Sequence, residues 1–205
     1  MKDKSILMAL LVGAIAGAIL TDLASGSSTH KTQSQLMSEY YQVENAVSVS
    51  PTDIKTALQR GNYGEFVLVD LRSQAEYEEE HITSAINVPI FVDPEESGIG
   101  NEERIVKAFS EIKKNNPERE IIMYCYSGAC MASRKVGKIL SEHNIFAKHL
   151  NIGWYEWRYF WKMWSGEDGL NPDDFITKGA EAGEPNLDMK DKIIAPCSED
   201  AEFGC

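Results

Sequence analysis

The chain has 205 residues, of which 43% are hydrophobic, and it carries a net charge of −12. This length and this apolar content suit one domain of ordinary size with extensions. Nucleic-acid binding needs lysine and arginine to neutralise phosphates, whereas 20 basic residues here face 32 acidic ones without a basic cluster. The composition therefore argues against a nucleic-acid partner.

The first 26 residues differ from the rest of the chain in composition. A short charged lead, Met1–Lys4, precedes the fifteen apolar or small residues of Ile6–Leu20. This stretch is shorter than the roughly 20 residues that a membrane span prefers, and it fits the apolar core of a secretory signal. Two interpretations stay open: a signal peptide cleaved near Ala24–Gly26, or an anchor of residues 5–21 that attaches the protein to a membrane. Both predict export to the periplasm or another extracytoplasmic space.

Residues 27–45 are polar and are interpreted as a spacer. A helix is predicted next, because Ser50 suits an N-cap, Pro51 suits a first turn and Gly61 ends the pattern. Apolar runs then alternate with amphipathic stretches. The predicted strands cover residues 66–70, 85–89, 120–124 and 147–150, and the further predicted helices cover residues 73–80, 102–114 and 129–141.

Strands that alternate with helices predict an α/β fold, in which a mainly parallel sheet carries helices on both faces. We expect one domain over residues 46–165, with the apolar N-terminal helix before it and an irregular, acidic C-terminal arm over residues 166–205. Ligand sites in such sheets lie at the carboxyl ends of the strands. Side chains that directly follow a predicted strand are therefore candidates for a site.

All four tryptophans lie between Trp154 and Trp164, at helical spacing. We interpret this stripe as core packing, since a row of large apolar side chains usually faces the interior of a domain. The alternative is that the outer rings cover a partner or a membrane surface.

Cys125 directly follows the strand predicted over residues 120–124, and a turn of small residues then leads into the helix predicted over residues 129–141. The N–H groups of such a loop and the helix N-terminus behind it favour a thiolate. The thiolate is the reactive form of cysteine. This segment alone leaves two interpretations open, a reactive thiol and a buried structural cysteine.

Two segments of the chain carry recognisable motifs. The first has an Asp-x-Arg, Glu-Tyr, His-Ile and Ala-x-Asn-x-Pro pattern, and the second has Tyr-Cys-x-x-Gly. The residues of these motifs are Asp70, Arg72, Glu76, Tyr77, His81, Ile82, Ala85, Asn87, Pro89, Tyr124, Cys125 and Gly128. In this order and spacing they resemble the rhodanese family of sulfurtransferases. The chain departs from the family at Glu80, Ser84 and Ile152, where glycine is usual. The resemblance covers roughly residues 45–165.

The resemblance implies a rhodanese-type enzyme in which Cys125 carries sulfane sulfur as a persulfide. The sulfur would come from thiosulfate or a persulfide and pass to cyanide, a small thiol or a protein thiol, with neither cofactor nor metal. The N–H groups of the loop would stabilise the persulfide anion. The residues predicted to bind substrate are Tyr126, Ser127, Gly128, Ala129 and Cys130.

The length of the loop separates sulfur chemistry from dephosphorylation. Related phosphatase and arsenate-reductase loops have arginine at the seventh position, where this chain has Met131. The six residues from Cys125 to Cys130 have the length that the resemblance associates with sulfur transfer. Phosphatase activity is therefore not expected.

The sixth loop residue is Cys130, where many family members have arginine. Two roles stay open for it. It is either a small side chain that fills the loop, or a resolving thiol that attacks the Cys125 persulfide, releases sulfide and leaves a disulfide. Without the loop arginine, Arg72 and Arg134 are the candidate contacts for an anionic donor.

Several residues have structural interpretations. Asp70, Arg72 and Glu76 are expected to form an ion-pair network, and His81 is expected to be buried and hydrogen-bonded. Export permits disulfides, so Cys197 and Cys205 are a candidate pair. Two alternatives to sulfur transfer stay open: a thiol–disulfide redox protein that uses Cys125 and Cys130, and a non-catalytic binding module.

Overall fold

The structure is a computed structural model, and it describes residues 31–91, 99–166 and 169–186. The chain divides into two compact units, residues 1–42 and residues 43–205. The predicted signal or anchor segment lies outside the described residues, as do Cys197 and Cys205. Within the described ranges, no helix is both long and apolar enough to cross a membrane.

Helix α1 (Gln33–Val47) is the first described element, and the boundary between the two units falls within it. The sequence predicted a polar spacer over residues 27–45, whereas most of this stretch is helical. The segment contains neither glycine nor proline, and the Thr32 hydroxyl accepts a hydrogen bond from the Gln35 N–H at 3.2 Å. None of the residues of α1 is buried.

A five-stranded sheet forms the centre of the second unit, and all its neighbouring strands are parallel. The strands, in spatial order, are β1 (Ser48–Val49), β6 (Ala147–Leu150), β5 (Glu120–Tyr124), β2 (Phe66–Asp70) and β4 (Ile86–Asn87). Strands β3 (His81–Ile82) and β7 (Ile176–Thr177) form a separate antiparallel pair. The predicted α/β fold with a mainly parallel sheet is confirmed.

Helices cover both faces of this sheet. They are α2 (Pro51–Arg60), α3 (Gln74–Glu79), α4 (Glu102–Asn115), α5 (Ala132–Glu142), α6 (Trp154–Tyr159) and α7 (Trp161–Ser165), with 3₁₀ turns at Tyr63–Glu65 and Pro172–Phe175. Helix α2 has the predicted ends, since the Ser50 hydroxyl accepts from the Thr52 N–H and Gly61 adopts a φ of 75°. Glycine adopts this left-handed conformation without the strain that a Cβ introduces.

Two apolar cores lie on opposite sides of the sheet because side chains alternate along a strand. From β2, Phe66 and Leu68 belong to one core with α2, α6 and α7. Val67 and Val69 belong to the other core with α4 and α5. Burying one such side chain stabilises the fold by about 1.5–3 kcal/mol. The two cores fix the direction of β5, and so the place where the chain leaves the sheet at Cys125.

The tryptophan stripe belongs to the core, as predicted. Trp154, Trp157 and Trp161 are buried, and Trp164 is partly buried against the same core. The helical pattern breaks at Phe160, so the stripe spans two short helices instead of one.

The segment after the tryptophans is more ordered than the predicted irregular arm. Phe175 is 1% exposed and its ring stacks on Trp161 with 5.0 Å between ring centroids. Strand β7 pairs with β3, and the Ser84 N–H donates to the Ala182 carbonyl at 2.6 Å. The buried ring and the strand pairing explain why this part of the chain follows the domain surface.

His81 is fully buried, as predicted. Its Nδ1 lies 2.7 Å from the Tyr77 carbonyl, and its ring stacks on Tyr77 with 3.8 Å between centroids. Burial lowers the pKa of His81, so the neutral ring is favoured.

Candidate active site

Cys125 lies at the carboxyl end of β5 and is 2% exposed. The segment after β6 holds the loop in place, because the Trp154 N–H donates to the Cys125 carbonyl and the Tyr155 N–H donates to the Tyr126 carbonyl, both at 2.8 Å. Helix α5 begins behind the loop at Ala132, three residues later than predicted. The delay arises because the Cys130 N–H first closes a turn onto the Ser127 carbonyl at 3.0 Å.

Two glycines let the loop pack against the segment after β6. A Cβ added to Gly153 would lie 2.2 Å from the Ser127 nitrogen, and a Cβ added to Gly128 would lie 2.5 Å from the Asn151 oxygen. Both distances are too short for any side chain. The glycines are therefore required by the close approach of two backbones.

Cys125 and Cys130 are both free thiols, and their sulfur atoms lie 2.9 Å apart. Cys130 is partly exposed, whereas Cys125 is buried. The hydrogen bond between the two thiols lowers the pKa of Cys130 to about 6, with further help from the N–H groups of Ala132 and Tyr126 and from the charge of Lys135. The same hydrogen bond, together with burial, raises the pKa of Cys125.

The sequence predicted that the loop would favour a thiolate at Cys125, and this stays a prediction. The two sulfurs lie 2.9 Å apart and either can donate to the other, so the pair can hold one proton between them. The pair as a whole loses its first proton at lower pH than an isolated cysteine, because the remaining proton is shared between the two sulfurs. A thiolate and a buried thiol in contact can exchange roles by moving that one proton.

The N–H groups of the predicted cradle have different partners. The Tyr126 N–H lowers the pKa of both Cys125 and Cys130. The Gly128 N–H, however, donates to the Glu156 carboxylate at 3.2 Å, and the Cys130 N–H closes its turn. The predicted substrate-binding roles of the loop residues stay predictions; these residues are Tyr126, Ser127, Gly128, Ala129 and Cys130.

Glu156 also holds the loop, although it was not among the predicted site residues. Its carboxylate accepts hydrogen bonds from the Gly153 N–H at 3.0 Å and from the Gly128 N–H, so it joins the start of α6 to the loop. A capping box pairs a Ser or Thr at the N-cap with a glutamate three residues later, and here only the glutamate half is present because Gly153 is the N-cap. The second contact, across the fold, carries no local signal.

Arg72, which was predicted as a possible anion contact, is buried against other partners, and the anion contact itself stays a prediction. It is 2% exposed, and its Nε and Nη2 donate to Asp70 Oδ2 at 3.0 and 2.7 Å. Nη2 also donates to the Glu80 carbonyl, and the guanidinium lies 4.4 Å from the Trp154 ring centroid. Burial disfavours its charge, but the Asp70 carboxylate outweighs this effect and the pKa of Arg72 is raised. The predicted structural ion pair of Asp70 and Arg72 is confirmed.

Glu76 was predicted in the same network but has other partners. The hydroxyls of Tyr126 and Ser73 both donate to its Oε2 atom. Burial and the hydrogen bond to Glu76 raise the pKa of Tyr126, so its hydroxyl stays protonated at neutral pH. The Tyr126 ring lies beside Phe91, at 5.2 Å between centroids, and beside Tyr155, at 6.0 Å. An aromatic rim thus borders the cysteine loop.

Arg134 is exposed, and its Nη1 donates to the Gly128 carbonyl at 3.3 Å. Arg134 lies in the first turn of α5, and this bond holds its guanidinium against the loop. A contact between Arg134 and an anionic donor stays a prediction.

The model of the rhodanese-like domain family matches residues 50–159. A curated relative, the HTH-type transcriptional regulator Rv0324 of Mycobacterium tuberculosis, is 30% identical over 112 residues, which are 53% of this chain and 43% of that protein. The chain thus spans less than half the length of that relative.

Solved structures resemble parts of this chain at low identity. The BH2092 protein of Bacillus halodurans is 23% identical, with 74% of this chain and 90% of that chain covered and a TM-score of 0.47. A rhodanese with anions from E. coli is 24% identical, with 42% and 84% covered and a TM-score of 0.29. The family match spans more than half of the residues, and the chain therefore belongs to the rhodanese-like domain family.

Proposed function

We propose that this protein is a sulfurtransferase in which Cys125 accepts a sulfane sulfur from thiosulfate or a persulfide and passes it to a thiophilic acceptor. One observation carries the proposal: a free thiol lies at the carboxyl end of β5, with the sulfur of Cys130 at 2.9 Å. Attack on the donor requires a thiolate, and Cys130 supplies a base that can take the proton of Cys125.

The chemistry divides into two steps. Cys125 attacks the outer sulfur of the donor, the bond between the two donor sulfurs breaks, and sulfite leaves when the donor is thiosulfate. The acceptor then attacks the outer sulfur of the Cys125 persulfide and restores the thiol. The Tyr126 N–H, which lowers the pKa of Cys125, would stabilise the anion of the intermediate.

Initial rates of thiocyanate formation from thiosulfate and cyanide test this proposal. We expect Cys125→Ser to abolish the reaction, because serine cannot carry the sulfur. Cys197→Ser is the matched control, since it makes the same substitution outside the loop and is expected to keep the rate. Thiocyanate formation that survives Cys125→Ser would overturn the proposal.

A thiol–disulfide redox protein is the second candidate, and the same sulfur–sulfur distance of 2.9 Å favours it. Such a protein would exchange disulfides with a partner and would not need a sulfane-sulfur donor. Anaerobic incubation with oxidised glutathione separates the candidates. A Cys125–Cys130 disulfide formed faster than any reaction with thiosulfate or a persulfide would favour the redox role. An absence of reaction with either reagent would favour a non-catalytic binding module.

We also propose that the domain works outside the cytoplasm, attached to or released from a membrane through its N-terminal segment. The apolar stretch Ile6–Leu20 supports this location. Fusion of residues 1–45 to alkaline phosphatase tests it, since the reporter is active only after export. An inactive fusion that is still well expressed would contradict the proposal.

A further inference from the structure

Cys130 packs partly against the core beside the loop, and it is partly exposed whereas Cys125 is buried. Its sulfur faces the Cys125 sulfur at 2.9 Å, and an S–S bond of about 2.05 Å would require the two atoms to approach by only about 0.9 Å. The loop thus holds two thiols close to bonding distance, with the outer one accessible to solvent.

We propose that Cys130 is a catalytic thiol that converts the Cys125 persulfide into a Cys125–Cys130 disulfide and releases the transferred sulfur as sulfide. This inference rests on the proposed sulfur transfer to Cys125. It makes the protein a reductase of sulfane sulfur whose final electron donor is a dithiol, either a small molecule or a protein.

In the first step Cys130 acts as a base. The Cys125 thiol gives its proton to the Cys130 thiolate and attacks the outer sulfur of the donor. With thiosulfate, the S–S bond of the donor breaks and sulfite leaves with the bonding electron pair. The products are the Cys125 persulfide anion and the Cys130 thiol.

In the second step Cys130 acts as a nucleophile. The proton returns from Cys130 to the outer sulfur of the persulfide, which restores the Cys130 thiolate. This thiolate attacks the inner sulfur, the Sγ atom of Cys125, and the bond between inner and outer sulfur breaks. Hydrosulfide leaves with the electron pair, and the Cys125–Cys130 disulfide remains. No external oxidant is needed, because the sulfane sulfur is the group that is reduced.

A dithiol then restores the resting state by two thiol–disulfide exchanges, which return one thiol and one thiolate to the pair. The dithiol itself becomes a disulfide. Cys130 is the sulfur that such a reductant reaches, because it is the more exposed of the two. The complete cycle turns thiosulfate and a dithiol into sulfite, sulfide and a disulfide.

Single-turnover chemistry on the full chain tests the inference. The Cys197→Ser/Cys205→Ser double variant serves as the parent, so that only the two loop cysteines remain. The protein is reduced with dithiothreitol, desalted without oxygen and mixed with thiosulfate. Intact mass and released sulfide are then followed in the parent and in the further variants Cys130→Ser, Cys130→Ala and Cys125→Ser.

We expect the parent to lose the mass of two hydrogen atoms and to release one sulfide per chain. Cys130→Ser and Cys130→Ala are expected to gain the mass of one sulfur atom, release no sulfide and still convert cyanide to thiocyanate. Their persulfide should also form more slowly near neutral pH and accelerate as the pH rises, because the base is missing. Circular dichroism checks that both variants are folded.

The outcomes distinguish this inference from the proposed function. A parent that keeps the extra sulfur as long as Cys130→Ser does would overturn the resolving role and leave sulfur transfer intact. Failure of both the parent and the Cys130 variants to gain sulfur would overturn the proposed function itself. Gain of sulfur on Cys130 in Cys125→Ser would overturn the assignment of the two roles.

Discussion

Two pairs of interacting side chains lie at the carboxyl ends of the neighbouring strands β2 and β5. In the first, Asp70 and Arg72 are both buried, and the guanidinium is held by a carboxylate, a carbonyl and an aromatic face. In the second, Cys125 and Cys130 share one contact of 2.9 Å, and Cys130 is partly exposed. A buried pair that is held from several sides supports the fold, whereas a partly exposed pair of thiols that share one contact can react.

The largest effect on stability is expected from breaking the Asp70–Arg72 pair. We expect Arg72→Met to destabilise the protein by about 3–5 kcal/mol, because it leaves the Asp70 carboxylate buried without its cation. Urea unfolding measures this loss. Lys148→Met is the control, since it breaks only the exposed pair with Glu120, where about 0.2–1 kcal/mol is expected. A loss as small as that of the control would show that the Asp70–Arg72 pair is not structural.

A second test disturbs the packing that holds the loop of Cys125 and Cys130 in place. Gly153→Ala places a Cβ within 2.2 Å of the Ser127 nitrogen, so the loop must move. We expect a loss of about 1–3 kcal/mol in the free energy of unfolding and a clear fall in sulfur transfer. Gly64→Ala is the matched control, because a Cβ there meets nothing within 4 Å. Equal effects of the two substitutions would contradict the tight packing of the loop.

A third test examines the shared proton. The pKa of Cys130 lies at about 6, so its thiolate is present above that pH and is lost as the pH falls through it. We expect the rate of alkylation by iodoacetamide to rise through pH 6. Cys125→Ala removes the hydrogen bond to Cys130 and should move this rise to higher pH, with about tenfold slower alkylation at pH 6 for each unit of pKa. An unchanged pH profile would show that the two thiols are not coupled.

The smallest effect is expected at the link between the loop and α6. Glu156→Gln keeps an oxygen that can accept a hydrogen bond but removes the charge, and we expect a loss of about 0.5–1.5 kcal/mol by thermal or urea unfolding. Glu156→Ala removes both contacts, to Gly128 and to Gly153, and should cost more. If both variants match the wild type, Glu156 does not hold the loop.

Elements whose bounds are set by neighbouring residues in the chain could be predicted from the sequence. Strands β2 and β5 have their predicted bounds, because each is an apolar run followed by turn residues. Helix α5 begins later than predicted, because a turn at Cys130 delays it. The orientation of Arg72 could not be read from Asp-x-Arg, since the Trp154 ring that it faces comes from a distant part of the chain.

The candidate site likewise has features with a local sequence signal and features that depend on distant parts of the chain. The position of Cys125 after a strand has a local signal, and so has the length of its loop. The approach of the two sulfurs depends on side-chain directions in an irregular loop, which no sequence period fixes. The contact between Glu156 and Gly128 joins residues 28 positions apart and forms only when α6 packs against the loop.

The buried ring of Phe175 has a practical consequence for the limits of the folding unit. The family match ends at residue 159, yet Phe175 completes the core against Trp161, and β7 extends β3. A protein truncated after residue 165 would uncover this core, and removal of a buried phenylalanine side chain typically costs about 3–5 kcal/mol. The smallest autonomous piece of this protein should therefore be sought with its C-terminus beyond residue 182, where Ala182 still binds Ser84.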